Sequence, residues 1–329
     1  MNPTQHYLQQ IQSKLGERVF GLGQAARLLG MTRIAGGHAL LEGPPGIGKT
    51  LLARSFAQAL GGQFRRVQGT PDLLPADITG VTVFRPDGTE FKFRPGPLFA
   101  DVVLVDEINR AGPKTQAALL EAMEEKRTTI DGDTRELPAD FVVIATQNPI
   151  DFEGTYPLPE SQVDRFLIRL DLTYAPRAEE VQVLQRYASP EGSAHQDALA
   201  AIEDERSLLR AARDEVAATR IEQALVEYVV NICEATRQAQ SIALGLSTRA
   251  ARAMLLMARV LAAGSGFDFV RPDDVQGVVD AVGAHRIVLT PEARIAGLTA
   301  QETLSRLVEG IAVPRVQGAV PSPTGESQE

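Results

Sequence analysis

The chain has 329 residues, 44% hydrophobic and 23% charged, with a formal net charge of −9. That length exceeds what one core usually fills, so two domains are predicted, and the acidic balance weighs against a broad nucleic-acid grip. A lone cysteine, Cys233, excludes an internal disulfide or a thiolate metal site; with no signal-peptide pattern and no apolar run near the ~18 residues of a membrane span, a cytoplasmic protein without membrane insertion is predicted.

Residues 4–15 read as a short amphipathic helix, and VFGLGQAARLLG (19–30) as a turn leading into a second. HALLEG (38–43) is a buried strand, GPPGIGKT (43–50) a glycine-rich loop, and TLLARSFAQAL a helix with apolar residues at helical spacing. FRRVQ (64–68) is a second strand. The segment VTVFRPDGTEFKFRPGPL predicts a β-hairpin turning at Pro86-Asp87-Gly88, inserted ahead of the strand in ADVVLVDEINRA (100–111). A helix follows from about Lys114 to Glu125, then a second hairpin around Asp131-Gly132. FVVIATQNP (141–149) and FLIRLDL (166–172) are two further buried strands. Apolar strands interleaved with helices imply a mostly parallel sheet covered on both faces, with ligands bound beyond the carboxyl ends of its strands. From Pro176 the pattern is helical: AEEVQVLQRYA, DERSLLRAARDEVAATR, IEQALVEYVVNICEATRQA, STRAARAMLLMARVLAAG and residues 270–285. The four histidines show no metal-ligand spacing and receive no function.

The loop fits G-x-x-x-x-G-K-[ST] in the strand–loop–helix setting that makes the motif useful. Its glycines let successive N–H groups point inward, and the following helix adds its positive end. The candidate nucleotide-binding residues are Gly43, Pro44, Pro45, Gly46, Ile47, Gly48, Lys49, Thr50 and Leu51. Lys49 would reach the outer phosphates, and the Thr50 hydroxyl would hold a magnesium ion. Asp106-Glu107 ends an apolar strand with two carboxylates, an expensive placement without a purpose. Asp106 is the candidate metal partner through its water shell, and Glu107 the group that polarises an attacking water. These residues predict magnesium-dependent attack of water on the γ-phosphate of a bound nucleotide.

GPPGIGKT, QGTPDLLPADITG, FRPGPLFADVVLVDEINRAGPKTQAALLEAMEE, VIATQNP, EGTYPLPESQVDRF and GLSTRAARAML together make the chain resemble the AAA+ ATPases, and within them the MoxR group, over most of residues 15–285. The resemblance implies an α/β fold: a P-loop parallel sheet with two β-hairpin insertions, followed by an all-helical lid domain. Residues 1–18 would be an N-terminal helix, 19–175 the nucleotide-binding domain, 176–312 the lid and 313–329 a disordered tail. It implies a ring, hexameric or closely related, with ATP between subunits. Asn148 matches the first sensor of the γ-phosphate. Arg165 matches the arginine finger that reaches a neighbour's ATP; its bland alternative is a salt bridge to Asp164 or Glu160. Arg249 matches the second sensor, in cis or in trans, although Thr248 stands where MoxR sequences often have proline. Gln68 lies where relatives hold the catalytic glutamate inactive. Phe20 and Gly21 lie where relatives stack adenine, and Arg110 is read as facing a subunit boundary. The hairpins would point to the pore or to a partner. Chaperone-like remodelling of a client is implied, often with a partner carrying a von Willebrand factor A domain. Two alternatives stay open: an ATP-gated assembly scaffold with incidental turnover, and an MCM-like nucleic-acid motor.

Overall fold

The computed structural model describes residues 1–84, 91–148, 155–188 and 199–315. The chain opens with helices α1 (Pro3–Gly16) and α2 (Gly23–Ala35) and enters strand β1 (Ala39–Glu42). Helix α3 (Lys49–Ala59) leads to β2 (Phe64–Gln68), then to a five-residue helix α4 (Pro75–Thr79) and the antiparallel pair β3 (Gly80–Phe84) and β4 (Phe91–Pro95). Next come β5 (Val102–Asp106), α5 (Pro113–Glu125), the hairpin β6 (Arg127–Ile130) and β7 (Asp133–Glu136), β8 (Val142–Gln147), α6 (Glu160–Val163) and β9 (Ile168–Asp171). The remainder is α7 (Arg177–Ala188), α8 (Glu205–Ala218), α9 (Gln223–Gln238), β10 (Ile242–Leu244), α10 (Thr248–Gly264), α11 (Pro272–Gly283), β11 (Val288–Leu289), α12 (Pro291–Ile295) and α13 (Ala300–Glu309).

Five strands pair in parallel in the order β2-β5-β8-β1-β9. Successive side chains of a strand point to opposite faces, and both faces are covered here. Leu41, Leu104 and Ile144 pack with Phe56 of α3 into a core that continues into α1, α2 and the lid helices. Their neighbours Leu40, Val103 and Val143 pack with Leu119 and Met123 of α5. This explains why the strands read as unbroken apolar runs. No helix among the described residues is long and apolar enough to cross a membrane.

Both inserted hairpins form. Asp131 and Gly132 have φ of 52° and 89°, the pair of left-handed residues that a two-residue hairpin turn requires. The turn at Pro86-Asp87-Gly88 lies outside the described residues, as do residues 316–329 of the expected tail, but β3 and β4 pair up to Phe84↔Phe91. The lid is helical with one addition: β10 and β11 form a short antiparallel ladder. α1 is not detached. Tyr7 Oη donates to Glu205 Oε1 of α8 at 2.7 Å, and Thr4 Oγ1 donates to Glu215 Oε2 at 2.6 Å.

Two arginines pin the lid to the sheet domain. Arg213 of α8 donates to Asp140 Oδ1 at 2.5 Å and to the last-turn carbonyl of Ile34 in α2 at 3.1 Å. Arg286 donates to Asp164 Oδ1 at 2.6 Å and to the Phe166 carbonyl at 2.7 Å.

His38, just ahead of β1, is structural. Its Nδ1 accepts from the Val143 N–H at 2.9 Å, which leaves Nε2–H to donate to the Met123 carbonyl at 3.1 Å. Burial pushes its pKa down to about 4, against the raising effect of the Met123 bond. His285 is displaced in the same direction, again chiefly by burial. The unfolded chain therefore binds more protons than the folded one below the ordinary histidine pKa. Stability is complete above about pH 6.5 and falls as pH drops toward 4, by about 3 kcal/mol for His38 over the whole window. Urea unfolding at about pH 7 and about pH 5 should show at least ~2 kcal/mol less stability at the lower pH. Equal stability at both would remove this account of His38.

Candidate active site at the carboxyl edge of the sheet

β1 ends at Glu42, and the chain turns through residues 43–48 into α3. Gly46 and Gly48 have φ of 84° and 91°, a left-handed region that side chains rarely adopt. The loop can thus curl its N–H groups inward and begin α3 at Lys49. Lys49 Nζ donates to the Gly43 carbonyl at 2.7 Å, which folds the ammonium across the loop. Its partial burial lowers its pKa, opposed by the charges of Asp106, Glu107 and Glu42.

The acids come from β5, two strands away from β1 across β8. Asp106 Oδ1 accepts from Thr146 Oγ1 at 2.6 Å; Oδ2 accepts from Arg66 Nη2 at 2.6 Å and from Thr50 Oγ1 at 3.3 Å. Burial works to raise its pKa, but the bonds from Thr146, Arg66 and Thr50 outweigh it and hold the carboxylate below its ordinary value. Asp106 is therefore charged and lies beside the Thr50 hydroxyl. This hydroxyl and carboxylate form an oxygen-only donor pair, which suits a hard divalent cation. Among the described residues no group of three or more His, Cys, Asp or Glu could hold a metal, so such an ion would complete its shell with phosphate oxygens and water.

Glu107 has φ 55° and ψ 53°, a left-handed conformation that costs a non-glycine residue roughly 1–3 kcal/mol. Two bonds hold it there. Its N–H donates to Thr146 Oγ1 at 2.9 Å, and the Gly69 N–H donates to the Asp106 carbonyl at 2.7 Å. Its Oε2 accepts from Gln68 Nε2 at 3.0 Å and from Arg110 Nη1 at 3.1 Å. Gln68, at the end of β2 and in register with Asp106, is thus hydrogen-bonded to the candidate base. Arg110 contacts the same oxygen.

Gly69 is needed for this close approach, since a Cβ there would lie 2.1 Å from the Glu107 carbonyl oxygen. Gly69→Ala should push Glu107 out of place, costing about 1–3 kcal/mol of stability and most of the turnover. Urea midpoints and phosphate release measure the two effects, and near-wild-type values for both would show that the turn yields freely.

Asn148 directly follows β8 on the same edge. Gly21 lies against Ala175 and the Glu179 carboxylate, while Gly43 lies against the Leu172 carbonyl. The Phe20-Gly21 segment and the phosphate loop therefore meet the same stretch, where β9 passes into the lid.

Arg165 and Arg249 do not join this group. Arg165 Nη1 pairs with Glu124 Oε2 at 2.6 Å and donates to the Leu120 carbonyl at 3.0 Å. Neither Asp164 nor Glu160 is its partner; Asp164 goes to Arg286. Arg249 Nη2 pairs with Glu124 Oε1 at 2.5 Å. Thr248 still begins α10, because the Ser247 hydroxyl caps it by accepting from the Ala250 N–H, and proline's preset first-turn geometry is not required.

α5 explains the separation. Gln116 near its start donates to the Ile108 carbonyl, just past the acids. Met123 near its end touches His38, ahead of β1. Eight residues of helix, from Gln116 to Glu124, span roughly 12 Å. The two arginines thus lie at the amino edge of the sheet and the phosphate loop at its carboxyl edge.

Thr146, Arg66 and Glu124 are absent from the sequence-based candidates. Thr146 offered a signal, a hydroxyl at the polar end of an otherwise apolar strand. Arg66 stands two residues before Gln68, hence on the same face of β2. Glu124 is one of several acids on α5 and offered none.

Residues 38–168 match the ATPase family associated with various cellular activities (AAA), and residues 234–307 match the AAA lid domain. The chain is 42% identical to uncharacterized protein YeaC of Bacillus subtilis, covering 93% of each chain. It is 39% identical to chaperone MoxR1 of Mycobacterium tuberculosis, over 96% of this chain and 84% of that one. It is 35% identical to protein MoxR of Paracoccus denitrificans, over 83% and 86%. The crystal structure of a candidate ATPase from Cytophaga hutchinsonii superposes with a TM-score of 0.84 at 33% identity, covering 95% of this chain and 97% of that one.

Proposed function

Because the chain belongs to the MoxR family of AAA+ ATPases, we propose that it hydrolyses ATP to ADP and phosphate at sites shared between subunits of a ring, and uses the cycle for chaperone-like remodelling of a client. The observation that carries this reading is the division of the machinery between two edges of one sheet. Lys49, Thr50, Asp106 and Glu107 gather at the carboxyl edge, while Arg165 and Arg249 share Glu124 at the other. A chain so built would complete its site with a second copy, and a heterologous interface of that kind gives a ring where its rotation closes.

Lys49 and the loop N–H groups would bind the phosphates, and Asn148 would contact the γ-phosphate or the attacking water. Glu107 would orient that water and accept its proton. Thr50 and Asp106 would hold a magnesium ion, which supplies charge neutralisation at the phosphate oxygens. Arg165 and Arg249 would face the ATP of the neighbouring subunit. Because one carboxylate holds both, a trans role for one carries the other with it.

Gln68 on Glu107 favours controlled rather than constant turnover, and it keeps an ATP-gated assembly scaffold as the second reading. The hairpin β3–β4 exposes Phe84 and Phe91, stacked edge to face at 5.4 Å, and offers a client an apolar contact. A partner with a von Willebrand factor A domain, a hexameric ring size and a cytoplasmic location complete the proposal.

The test pairs ATP turnover with mass by light scattering for wild type, Glu107→Gln and Arg165→Ala. ATP-dependent assembly with turnover lost in both variants supports a shared-site motor. Wild-type turnover no higher than that of Glu107→Gln would replace the motor with the scaffold.

A further inference from the structure

Glu124 closes the last turn of α5 and uses one carboxylate oxygen for each of two arginines, Arg165 at 2.6 Å and Arg249 at 2.5 Å. The first belongs to the sheet domain and the second to the lid, so a single side chain ties the two together. It stands in a cleft of about 820 Å³ between the amino edge of the sheet and the lid. The walls of that cleft are cationic: Lys126, Arg252, Arg259 and Arg286 join Arg165 and Arg249. The cleft's other carboxylate, Asp164, is engaged by Arg286 at 2.6 Å and stands farther from Arg249, at 4.0 Å. Glu124 is therefore the anion that keeps two guanidinium groups side by side in a positive field. Arg165 also has donor capacity to spare, since its buried Nε has no hydrogen-bond partner among the described residues.

A carboxylate and a terminal phosphate make the same demand on a guanidinium, acceptor oxygens matched to a fork of N–H donors. They cannot share one pair of forks, because two anions at contact distance repel. The Glu124 side chain is 40% exposed, and ion pairs so open to water are weak enough to be exchanged. Resting on the reading in which Arg165 and Arg249 face a neighbour's ATP, we propose that Glu124 is a positioning residue that holds the place of the γ-phosphate. It keeps both arginines gathered and aimed, and the terminal phosphate of a nucleoside triphosphate carried by a second copy of this chain displaces it. The exchange sets how readily subunits associate productively. It also loosens the lid, because breaking the Glu124–Arg249 pair removes one of the ties to the sheet domain and leaves those of Arg213 and Arg286.

Glu124→Gln tests this with little change of shape. Two measurements are made: turnover across a protein dilution series, and calorimetric titration of tripolyphosphate into Lys49→Ala protein with and without the Glu124 change. With the competing charge gone, the protein concentration for half-maximal turnover should fall several-fold. Tripolyphosphate should bind Lys49→Ala/Glu124→Gln several-fold more tightly than Lys49→Ala, and adding Arg165→Ala should abolish that gain. A half-maximal concentration that is unchanged or raised, or an unchanged tripolyphosphate affinity, overturns the placeholder role. The shared-site reading is judged separately by Arg165→Ala alone. If that variant keeps wild-type turnover, both ideas fall; if it loses turnover while Glu124→Gln behaves as wild type, only the placeholder falls.

Discussion

Glu107→Gln should bind ATP and assemble as the wild type does, yet lose turnover by about 10²–10⁴-fold, the range over which a positioned general base contributes. Binding should survive because the groups that take the phosphates are elsewhere: Lys49 lies on the glycine loop, Thr50 pairs with Asp106, and Asp106 with Thr146. The left-handed backbone of Glu107 is fixed through main-chain bonds to and around it, from its own N–H to Thr146 and from Gly69 to Asp106. An amide at position 107 therefore occupies the same place. It can still accept through its oxygen from Gln68 or Arg110, but it cannot take a proton from water. Nucleotide binding measured alongside phosphate release separates the two properties. Turnover equal to wild type would mean that Glu107 does not activate the water, and would leave this geometry to a scaffold that ATP merely assembles.

The parts of this site that were legible in the sequence are those that local chemistry encodes. A glycine loop between an apolar strand and a helix, and a pair of acids after an apolar run, need no partner to be seen. The parallel sheet was also legible, because strands such as VVLV, buried on both faces, read as continuous apolar runs. What escaped depends on register or on distance along the chain. Thr146 matters because β8 lies beside β5 at a level where its hydroxyl meets Asp106, 40 residues away. Glu124 matters because the lid delivers Arg249 from 125 residues away. α4 escaped because five residues opening on proline carry no periodicity, and the β10–β11 ladder because strands of three and two residues carry none either. Arg165 could be named as a candidate from the sequence, but its ion-pair partner could not. Asp164 and Glu160 are close in sequence, but the fold turns Arg165 toward the end of α5 instead.

That orientation gives the second large effect. Arg165→Ala should lower turnover by about 10³–10⁵-fold, the size of an arginine finger's contribution in comparable enzymes, while leaving ATP affinity for its own loop intact. Within one chain the roughly 12 Å of α5 between the acids and Glu124, with the sheet beside it, keeps this guanidinium from its own Lys49. The loss must therefore be a loss to the neighbour. Lys49→Ala fails for the complementary reason: its arginines are whole and its loop cannot hold phosphate. When the two inactive variants are mixed in equal amounts, an interface that joins the loop of Arg165→Ala to the arginines of Lys49→Ala carries every group required. Random assembly around a heterologous ring makes about a quarter of the interfaces of that kind, so up to that share of wild-type turnover should return. Recovery should rise and fall with the mixing ratio and peak at equality, because each restored site needs one subunit of each type. Mixed assemblies seen by light scattering with no return of turnover would place Arg165 in its own chain's chemistry, or outside the chemistry altogether.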